Sequence, residues 1–350
     1  MKRDSRRFPQ TWLVSWKIVC LIKDVQKPYT SVPSKVRMEK YGEYRDSGTG
    51  IAPFLPIVLS ASAKGGVTTK IFRYAKLVVK LIIALPVLLV YQFIPLQMFL
   101  NVLFKILIGF STNVQVEGLK KTKIEVQRDY PQKNQIYYCN YTNPLDYWCL
   151  SQISRGNKFV VLVAHSKNQV IEFNDNSWWT FALFTLVTTG ILPPKATGKG
   201  RGFQIVQLDK SLAQKYKDKI VYCFPEGTTS NGKSILPFEL DCKNLENHVK
   251  FNTVNTISMR ISPSHLVTPL PYEDMDSTKY WWKLLLFSSD GNGLVNGGSS
   301  GVECKYKISH KVNSSDVRIK LNNDDKYKLI GQSLKKDKKA KFIKVYKGPM

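Results

Sequence analysis

The chain has 350 residues, 43% of them hydrophobic, and a formal net charge of +26 at pH 7. This length and apolar content allow one large domain with an additional segment and are sufficient for a hydrophobic core. The positive charge favours polyanionic partners, but no zinc-finger spacing or aromatic–basic RNA-binding pattern is present, which argues against nucleic acid. An anionic membrane leaflet and phosphorylated substrates remain as the expected polyanionic partners. The six cysteines show no C-x-x-C spacing, which is typical of buried free thiols in a reducing compartment.

Residues 1–70 form a basic N-terminal extension and loop. Residues 1–37 contain a short apolar patch that Lys17 interrupts, and they lack the clean core and cleavage site of a signal peptide. Two interpretations fit: a surface-binding extension, or a segment upstream of a true start at Met38.

Residues 71–110 are predicted to anchor the chain to a membrane. No charged residue occurs from 81 to 104, and at about 1.5 Å per residue such a helix exceeds the roughly 30 Å hydrocarbon core. Pro86 and Pro95 interrupt the run, and basic residues flank both sides rather than one. We therefore predict a monotopic hairpin that bends between Gln92 and Pro95, with both ends in the cytosol. A membrane-spanning helix and a buried pair of core helices are the alternatives.

Residues 111–315 read as an α/β domain, because apolar strand-like runs alternate with helical patterns. We expect a mixed or substantially parallel sheet flanked by helices. The predicted strands are 136–139, 158–164, 221–224, 265–271 and 304–309. The predicted helices are 147–153, 177–193 and 211–219, of which 177–193 is expected to dip into the membrane interface or line an acyl-chain groove. Residues 316–350 form a basic tail, with a lysine-dense amphipathic helix over 325–347.

Residues 221–232 carry the strongest motif of the chain and read V-Y-C-F-P-E-G-T-T-S-N-G. The apolar run ends at Pro225, which predicts a buried strand that brings its carboxyl end to a surface. Gly227 permits close approach of the backbone to a ligand, and consecutive backbone N–H groups beside hydroxyls suit an anionic group such as a phosphate. The motif therefore predicts an anion-binding loop.

The F-P-E-G-T run at 224–228 closely resembles the third motif of the glycerolipid acyltransferases, the lysophosphatidic acid acyltransferase superfamily. Its T-T-S-N-G continuation is similar to the lysophospholipid acyltransferase branches, and the region after Met38 resembles the fungal lysophosphatidic acid acyltransferases of lipid droplets and the endoplasmic reticulum. The resemblance implies that Glu226 contacts the acceptor and acts in the active site. It further implies an acceptor pocket formed by Phe224, Pro225, Gly227, Thr228 and Thr229.

The first family motif, N-H-x-[ST]-P-x-D, resembles N-Y-T-N-P-L-D at 140–146. Asn140, Thr142, Pro144 and Asp146 follow it, whereas Tyr141 occupies the position of the histidine that serves as general base in the family. A tyrosine hydroxyl has a pKa of about 10 and is a poor base at neutral pH. Three replacements are open, in order of preference: Asp146, the phosphate of the acceptor, or His165.

Two further motifs complete the resemblance. The second maps loosely onto residues 190–195, where the expected arginine is absent, so that Lys195, Lys199 or Arg201 is left to bind phosphate. The fourth fits residues 267–271, and the resemblance implies that Pro269 helps shape the acyl-CoA site.

Together these motifs imply a membrane-anchored, acyl-CoA-dependent acyltransferase that converts a lysophospholipid, foremost 1-acylglycerol-3-phosphate, to phosphatidic acid. Acyl-CoA is a co-substrate, and neither a bound cofactor nor a metal is predicted. The expected location is the endoplasmic reticulum membrane and the lipid droplet, with the catalytic domain facing the cytosol. The alternative is a pseudo-acyltransferase that binds lipid without turnover, because the motif histidine is replaced. The sequence carries no indication of oligomeric state.

Overall fold

The computed structural model describes residues 41–57, 67–93, 97–174, 177–192, 202–272, 277–287 and 301–346. The predictions for residues 1–40, Lys195, Lys199 and Arg201 lie outside these residues. Within them, the architecture centres on an eight-stranded sheet with strand order β1-β9-β8-β2-β6-β3-β4-β5. The strands are β1 Ser111–Val116, β2 Ile136–Cys139, β3 Phe159–Ser166, β4 Gln169–Phe173, β5 Gln204–Gln207, β6 Ile220–Phe224, β7 Ser234–Ile235, β8 Val254–Ser262, β9 Glu303–Ser309 and β10 Lys328–Leu329.

The four central strands β8, β2, β6 and β3 are mutually parallel, and β9 and β4 pair antiparallel to them on the two sides. Every residue of β2 and β6 is buried, which is the pattern expected of parallel strands covered on both faces. The side chains alternate between two cores: Tyr137 and Cys139 face one, and Ile136 and Tyr138 face the other. This arrangement confirms the predicted α/β class with a mixed sheet.

Helices cover both faces of the sheet. They are α1 Val67–Phe93, α2 Gln97–Ile108, α3 Val126–Asp129, α4 Asp146–Ser154, α5 Trp178–Thr188, α6 Ser211–Lys215, α7 Cys242–Val249, α8 Ser277–Phe287, α9 Val317–Leu321 and α10 Lys336–Val345. Residues of α2, α4, α5 and α8 contribute to the first core, and residues of α6, α7 and α9 to the second. The described cysteines are all free and buried, which confirms the prediction of buried free thiols for them.

Two predicted elements are wrong. Residues 265–271 form no strand: Ser264–Leu266 is a short 3-10 helix, and the segment after it is irregular, because Pro269 and Pro271 lack the N–H that a sheet ladder requires. The strand is β8, which ends just before Pro263. The lysine-dense helix does not begin near residue 325; it begins at Lys336, and β10 precedes it.

The apolar N-terminal helices α1 and α2 contact each other, as a hairpin requires. The Lys80 ammonium in α1 donates to the Leu107 carbonyl oxygen at the end of α2, at 3.3 Å. The stretch Ile71–Tyr91 is long and apolar enough to cross a membrane, and only 11% of it is buried. The buried-core alternative is therefore wrong for α1. Its large exposed apolar side chains include Ile71, Phe72, Val78, Val79, Ile82, Ile83, Leu85 and Leu89.

A third hydrophobic cluster joins the two ends of the described chain. Residues 41–57 pack against residues 328–346, and we call this pair of segments the terminal clasp. The Phe342 ring of α10 lies against Tyr41, Tyr44 and Phe54, with ring centroids 5.4, 4.9 and 5.9 Å away. The Gly331 amide donates to the Asp46 carboxylate at 2.9 Å. The clasp therefore makes the C-terminal helix part of the folded domain.

Replacing Phe342 by alanine should release the terminal clasp. Phe342 is fully buried, so Phe342→Ala removes its ring contacts and leaves a cavity, at a cost of about 3–5 kcal/mol in the free energy of unfolding. Val345→Ala on the same helix is the control, because Val345 is half exposed and its loss should change stability by less than about 0.5 kcal/mol. Thermal unfolding of the detergent-solubilised variants measures both. Equal stabilities would contradict the packing of the clasp.

Candidate active site

Three loops meet at the carboxyl edge of the parallel strands. Residues 140–146 follow β2, residues 225–232 follow β6, and residues 264–270 follow β8. The Ser230 amide donates to the Tyr141 carbonyl oxygen at 3.2 Å, and the Thr268 amide donates to the Thr142 carbonyl oxygen at 3.1 Å. The first, third and fourth sequence motifs are therefore contiguous in space. Such an edge of a parallel sheet is the usual place of a ligand site in α/β proteins.

Asp146 begins α4 and is fully buried. Its Oδ2 accepts the amides of Thr142 and Asn143, each at 2.8 Å. Its Oδ1 is also buried and has no hydrogen-bond partner among the described residues. Burial raises the pKa of this carboxyl to about 7, against the opposing effect of the two amides and of the Thr142 side chain. Asp146 thus combines an available oxygen with a pKa near neutral pH, which are the properties of a general base.

Tyr141 lies in the hydrophobic core and not in an open site. Its hydroxyl forms a hydrogen bond of 2.6 Å with the Thr185 hydroxyl of α5, and its ring packs against Phe181 and Phe224. Burial raises the pKa of the phenol above its usual value, so ionisation of Tyr141 is further disfavoured. The structure therefore gives Tyr141 a packing role and leaves the position of the family's histidine without a base.

Glu226 connects the first and third motifs. Its Oε1 accepts the Tyr141 amide at 3.1 Å, and its Oε2 accepts the Leu236 amide at 2.9 Å. The side chain is buried, and burial raises its pKa to about 8. Both carboxyl oxygens are occupied by backbone donors, so Glu226 fixes the relative position of two segments.

Gly227 and the two threonines after it form the loop at the centre of the site. Gly227 adopts a positive φ of 65°, and the Thr228 and Thr229 hydroxyls donate to the carbonyl oxygens of Thr189 and Thr268, at 2.7 and 2.6 Å. The Thr229 amide donates to Thr189 as well. Both hydroxyl protons are thus directed to carbonyl oxygens of the protein, and the remaining lone pairs of the hydroxyls are free to accept.

Lys339 of α10 supplies the donors to those lone pairs. Its Nζ donates to Thr228 Oγ1 at 2.8 Å, to the Thr229 carbonyl oxygen at 2.7 Å and to Thr229 Oγ1 at 3.0 Å. The sequence motifs do not single out Lys339, because it is one of many lysines in the basic segment 316–350. Its spacing was the available signal: Lys339 lies three residues before Phe342, which places both on the same helical face.

The other predicted site residues that the structure describes are buried, except the candidate base His165, which is partly buried. Asn140 exchanges two hydrogen bonds with the Met259 backbone, at 2.9 and 2.6 Å, and so ties the first motif to β8. The Pro225 carbonyl oxygen accepts the amides of Glu239 and Leu240. Phe224 and Pro269 are buried beside these loops. His165, the third candidate base, has a buried Nδ1 without a partner among the described residues, and burial lowers its pKa.

Comparison with known proteins adds one match. The chain is 29% identical to lysophosphatidic acid:oleoyl-CoA acyltransferase 1 of Saccharomyces cerevisiae in an alignment 326 residues long, which covers 88% of this chain and 97% of the yeast protein. The chain is related to this acyltransferase. Because nearly the whole of both sequences aligns, the relationship extends well beyond the motif at 224–232. No protein-family model and no solved structure matches the chain.

Gly190 controls the position of the central loop. It has a φ of 92°, and a Cβ there would lie 2.2 Å from the Gly227 carbonyl oxygen. Gly156 has a φ of 80° with nothing within 4 Å of a Cβ, so Gly156→Ala reproduces the backbone strain without the collision. We expect Gly190→Ala to lower the free energy of unfolding by about 1–3 kcal/mol more than Gly156→Ala does. Thermal unfolding of both variants measures the difference, and equal losses would show that Gly190 matters only for its backbone conformation.

Proposed function

We propose that this protein is an acyl-CoA-dependent acyltransferase that acylates a lysophospholipid, foremost 1-acylglycerol-3-phosphate, to give phosphatidic acid for phospholipid and triacylglycerol synthesis. The yeast relative is named for lysophosphatidic acid and oleoyl-CoA as its substrates. The observation that carries the proposal for this chain is Asp146, whose unpartnered buried Oδ1 and pKa of about 7 suit a general base. Asp146 would thereby supply the general base that is missing where Tyr141 occupies the position of the histidine.

In the proposed reaction, Asp146 Oδ1 accepts the proton of the free glycerol hydroxyl as that oxygen attacks the thioester carbonyl carbon. A carbon–oxygen bond forms, the carbon–sulfur bond breaks, and the CoA thiolate takes the proton back from Asp146. A general base typically contributes about 10²–10⁴-fold, and positioning of the two substrates contributes further. Thr142 and Asn143 hold Oδ2 through their amides, so Oδ1 keeps a fixed direction.

The replaced histidine favours one competing function, a lipid-binding pseudo-acyltransferase. Tyr141 is buried against Phe181 and Phe224, and its hydroxyl is engaged by Thr185. Such a protein would retain the acceptor loop at 226–229 and would bind lysophospholipid without turnover. Measured transfer distinguishes the two functions directly.

We further propose that α1 and α2 insert as a hairpin into the cytosolic leaflet of the endoplasmic reticulum or the monolayer of a lipid droplet, with the α/β domain in the cytosol. Exposed apolar side chains along α1 support insertion. A stacked pair, Trp179 of α5 and Trp281 of α8, has its ring centroids 5.3 Å apart, and α8 contacts both hairpin helices. Tryptophan is enriched at membrane interfaces, which suits a position at the headgroup level.

Asp146→Asn should abolish acyl transfer from oleoyl-CoA to lysophosphatidic acid, with at least a ~100-fold loss in kcat/KM. The wild-type rate should rise with pH through about 7, because only the ionised carboxylate accepts a proton. Asp129→Asn is the control, since Asp129 is also a buried carboxylate but precedes β2 and pairs with Arg128. Tyr141→Phe should retain most of the turnover. Activity that survives in Asp146→Asn would exclude this residue as the base, and no transfer by the wild type would favour the lipid-binding function.

Ile82→Lys should weaken binding to artificial triacylglycerol droplets, because it places a charge on an exposed apolar position of α1. Ile319→Lys is the matched control: Ile319 is 60% exposed, against 66% for Ile82, but lies on α9. Flotation of the purified variants with droplets measures binding. A droplet has no aqueous far side, so failure of the wild type to float would argue for a spanning helix. Equal binding of the two variants would remove α1 from the attachment surface.

A further inference from the structure

Lys339 is an unusual residue because its ammonium is completely buried and contacts only neutral oxygens. Its three hydrogen bonds go to two hydroxyls and one carbonyl of Thr228 and Thr229. No ion pair with Asp or Glu is formed among the described residues, and the carboxylate of Glu226 attracts the ammonium without contacting it. A buried charge without a counter-ion is unfavourable, so this geometry calls for an anion or for loss of the proton.

Other cations surround the same loop and are also satisfied by backbone carbonyls. The Lys336 ammonium donates to the His165 carbonyl oxygen at 3.1 Å. The Arg318 guanidinium donates to the Leu236 carbonyl oxygen at 3.2 Å and to that of Ile235 at 3.3 Å. Burial lowers the pKa of Lys336 to about 8. Glu239 and Asp337 attract the Lys336 ammonium, and Glu226 and Asp46 attract the Arg318 guanidinium. With Lys339, three basic groups thus lie near the side of the loop that faces the terminal clasp.

The loop also contains a backbone donor that has no acceptor among the described residues. Thr228 is fully buried, yet its amide donates no hydrogen bond to another described residue. Buried amides are almost always paired, so an unpaired one beside a buried ammonium indicates a place for an acceptor oxygen. A group that is both anionic and rich in acceptor oxygens would satisfy the two together, and a phosphate monoester has these properties.

We propose that Lys339 binds the phosphate of the lysophospholipid acceptor, together with the Thr228 amide. The identity of this acceptor rests on the proposed function. An ammonium has three rotatable donors, so Lys339 can exchange its longest bond, to Thr229 Oγ1 at 3.0 Å, for a phosphate oxygen and keep the other two. This lysine provides a phosphate-binding cation where the second motif lacks its arginine.

The location of Lys339 makes the terminal clasp part of acceptor recognition. Phe342, one turn further along α10, packs against aromatic residues of the segment 41–57. The side-chain amide of Asn231 donates to the Ala52 carbonyl oxygen of the same segment at 2.9 Å. The ammonium is therefore positioned by both ends of the described chain. A zwitterionic acceptor such as lysophosphatidylcholine carries a phosphate diester, which has one negative charge and fewer terminal oxygens, so Lys339 should favour a phosphate monoester.

Isothermal titration with micellar lysophosphatidic acid, in the absence of acyl-CoA, tests the proposal apart from catalysis. We expect Lys339→Met to weaken binding at least ten-fold and to leave the weaker binding of lysophosphatidylcholine with the same acyl chain unchanged. Lys339→Arg should restore part of the preference. Lys344→Met is the control, because it removes the same charge from an exposed position of α10. Unchanged affinity of Lys339→Met for lysophosphatidic acid, whatever its stability, would overturn the proposal.

A second measurement on the unaltered protein covers the case in which Lys339→Met fails to fold. Lysophosphatidic acid should slow amide hydrogen exchange in residues 226–231 and 336–345, and lysophosphatidylcholine should not. Identical exchange with the two lipids would also overturn the proposal. Binding that depends on Lys339 without any acyl transfer would contradict the proposed enzyme but not this site, whereas transfer unaffected by Lys339→Met would contradict only the site.

Discussion

The arrangement of the candidate site depends on the carboxyl of Glu226, which accepts backbone amides from two different segments. One oxygen accepts the amide of Tyr141, in the loop after β2. The other accepts the amide of Leu236, just beyond β7. These bonds fix the loop after β6 between its neighbours, and the parallel register of β2 with β6 brings the loops to the same level. A carboxyl with both oxygens used in this way is a structural element. The resemblance to acyltransferases implies that Glu226 contacts the acceptor, and that contact would use the second lone pair of an oxygen that already accepts one amide.

Burial gives three ionisable groups of the site their chemical character. Asp146 and Glu226 both have pKa values raised towards or above neutrality, and the pKa of Lys339 is lowered, in each case mainly by desolvation. The consequence differs with the bonding of each group. Asp146 keeps one oxygen without a partner, so its raised pKa makes it available for proton transfer. Lys339 uses all three donors on a loop that has a spare amide, so its buried charge is suited to an incoming anion.

Much of the fold follows from local sequence, and the parts that do not follow have identifiable causes. The buried runs before Asn140 and Pro225 predicted β2 and β6 because residues of that kind fit central parallel strands. The strand β8 was missed because its polar residues, such as Asn255 and Arg260, obscure its alternation, and the prolines after it were mistaken for a strand end. The motifs predict Asp146 and the loop at 226–229 as site residues, and the structure places them at the same edge of the sheet. No local pattern predicted that Lys339, more than a hundred residues away in sequence, would contact Thr228.

The terminal clasp connects these observations. Desolvation makes an aspartate a stronger base, since its usual pKa of about 3.9 makes it a weak one in water. The loops that bury Asp146 are held in turn by Glu226 and by Asn231, whose backbone amide donates to the Pro53 carbonyl oxygen at 2.8 Å. The same clasp carries Lys339 into the loop through the packing of Phe342. The position of the loop at 226–231 and the burial of Lys339 are therefore linked physically, because the terminal clasp holds Asn231 and also brings the Lys339 ammonium to Thr228 and Thr229.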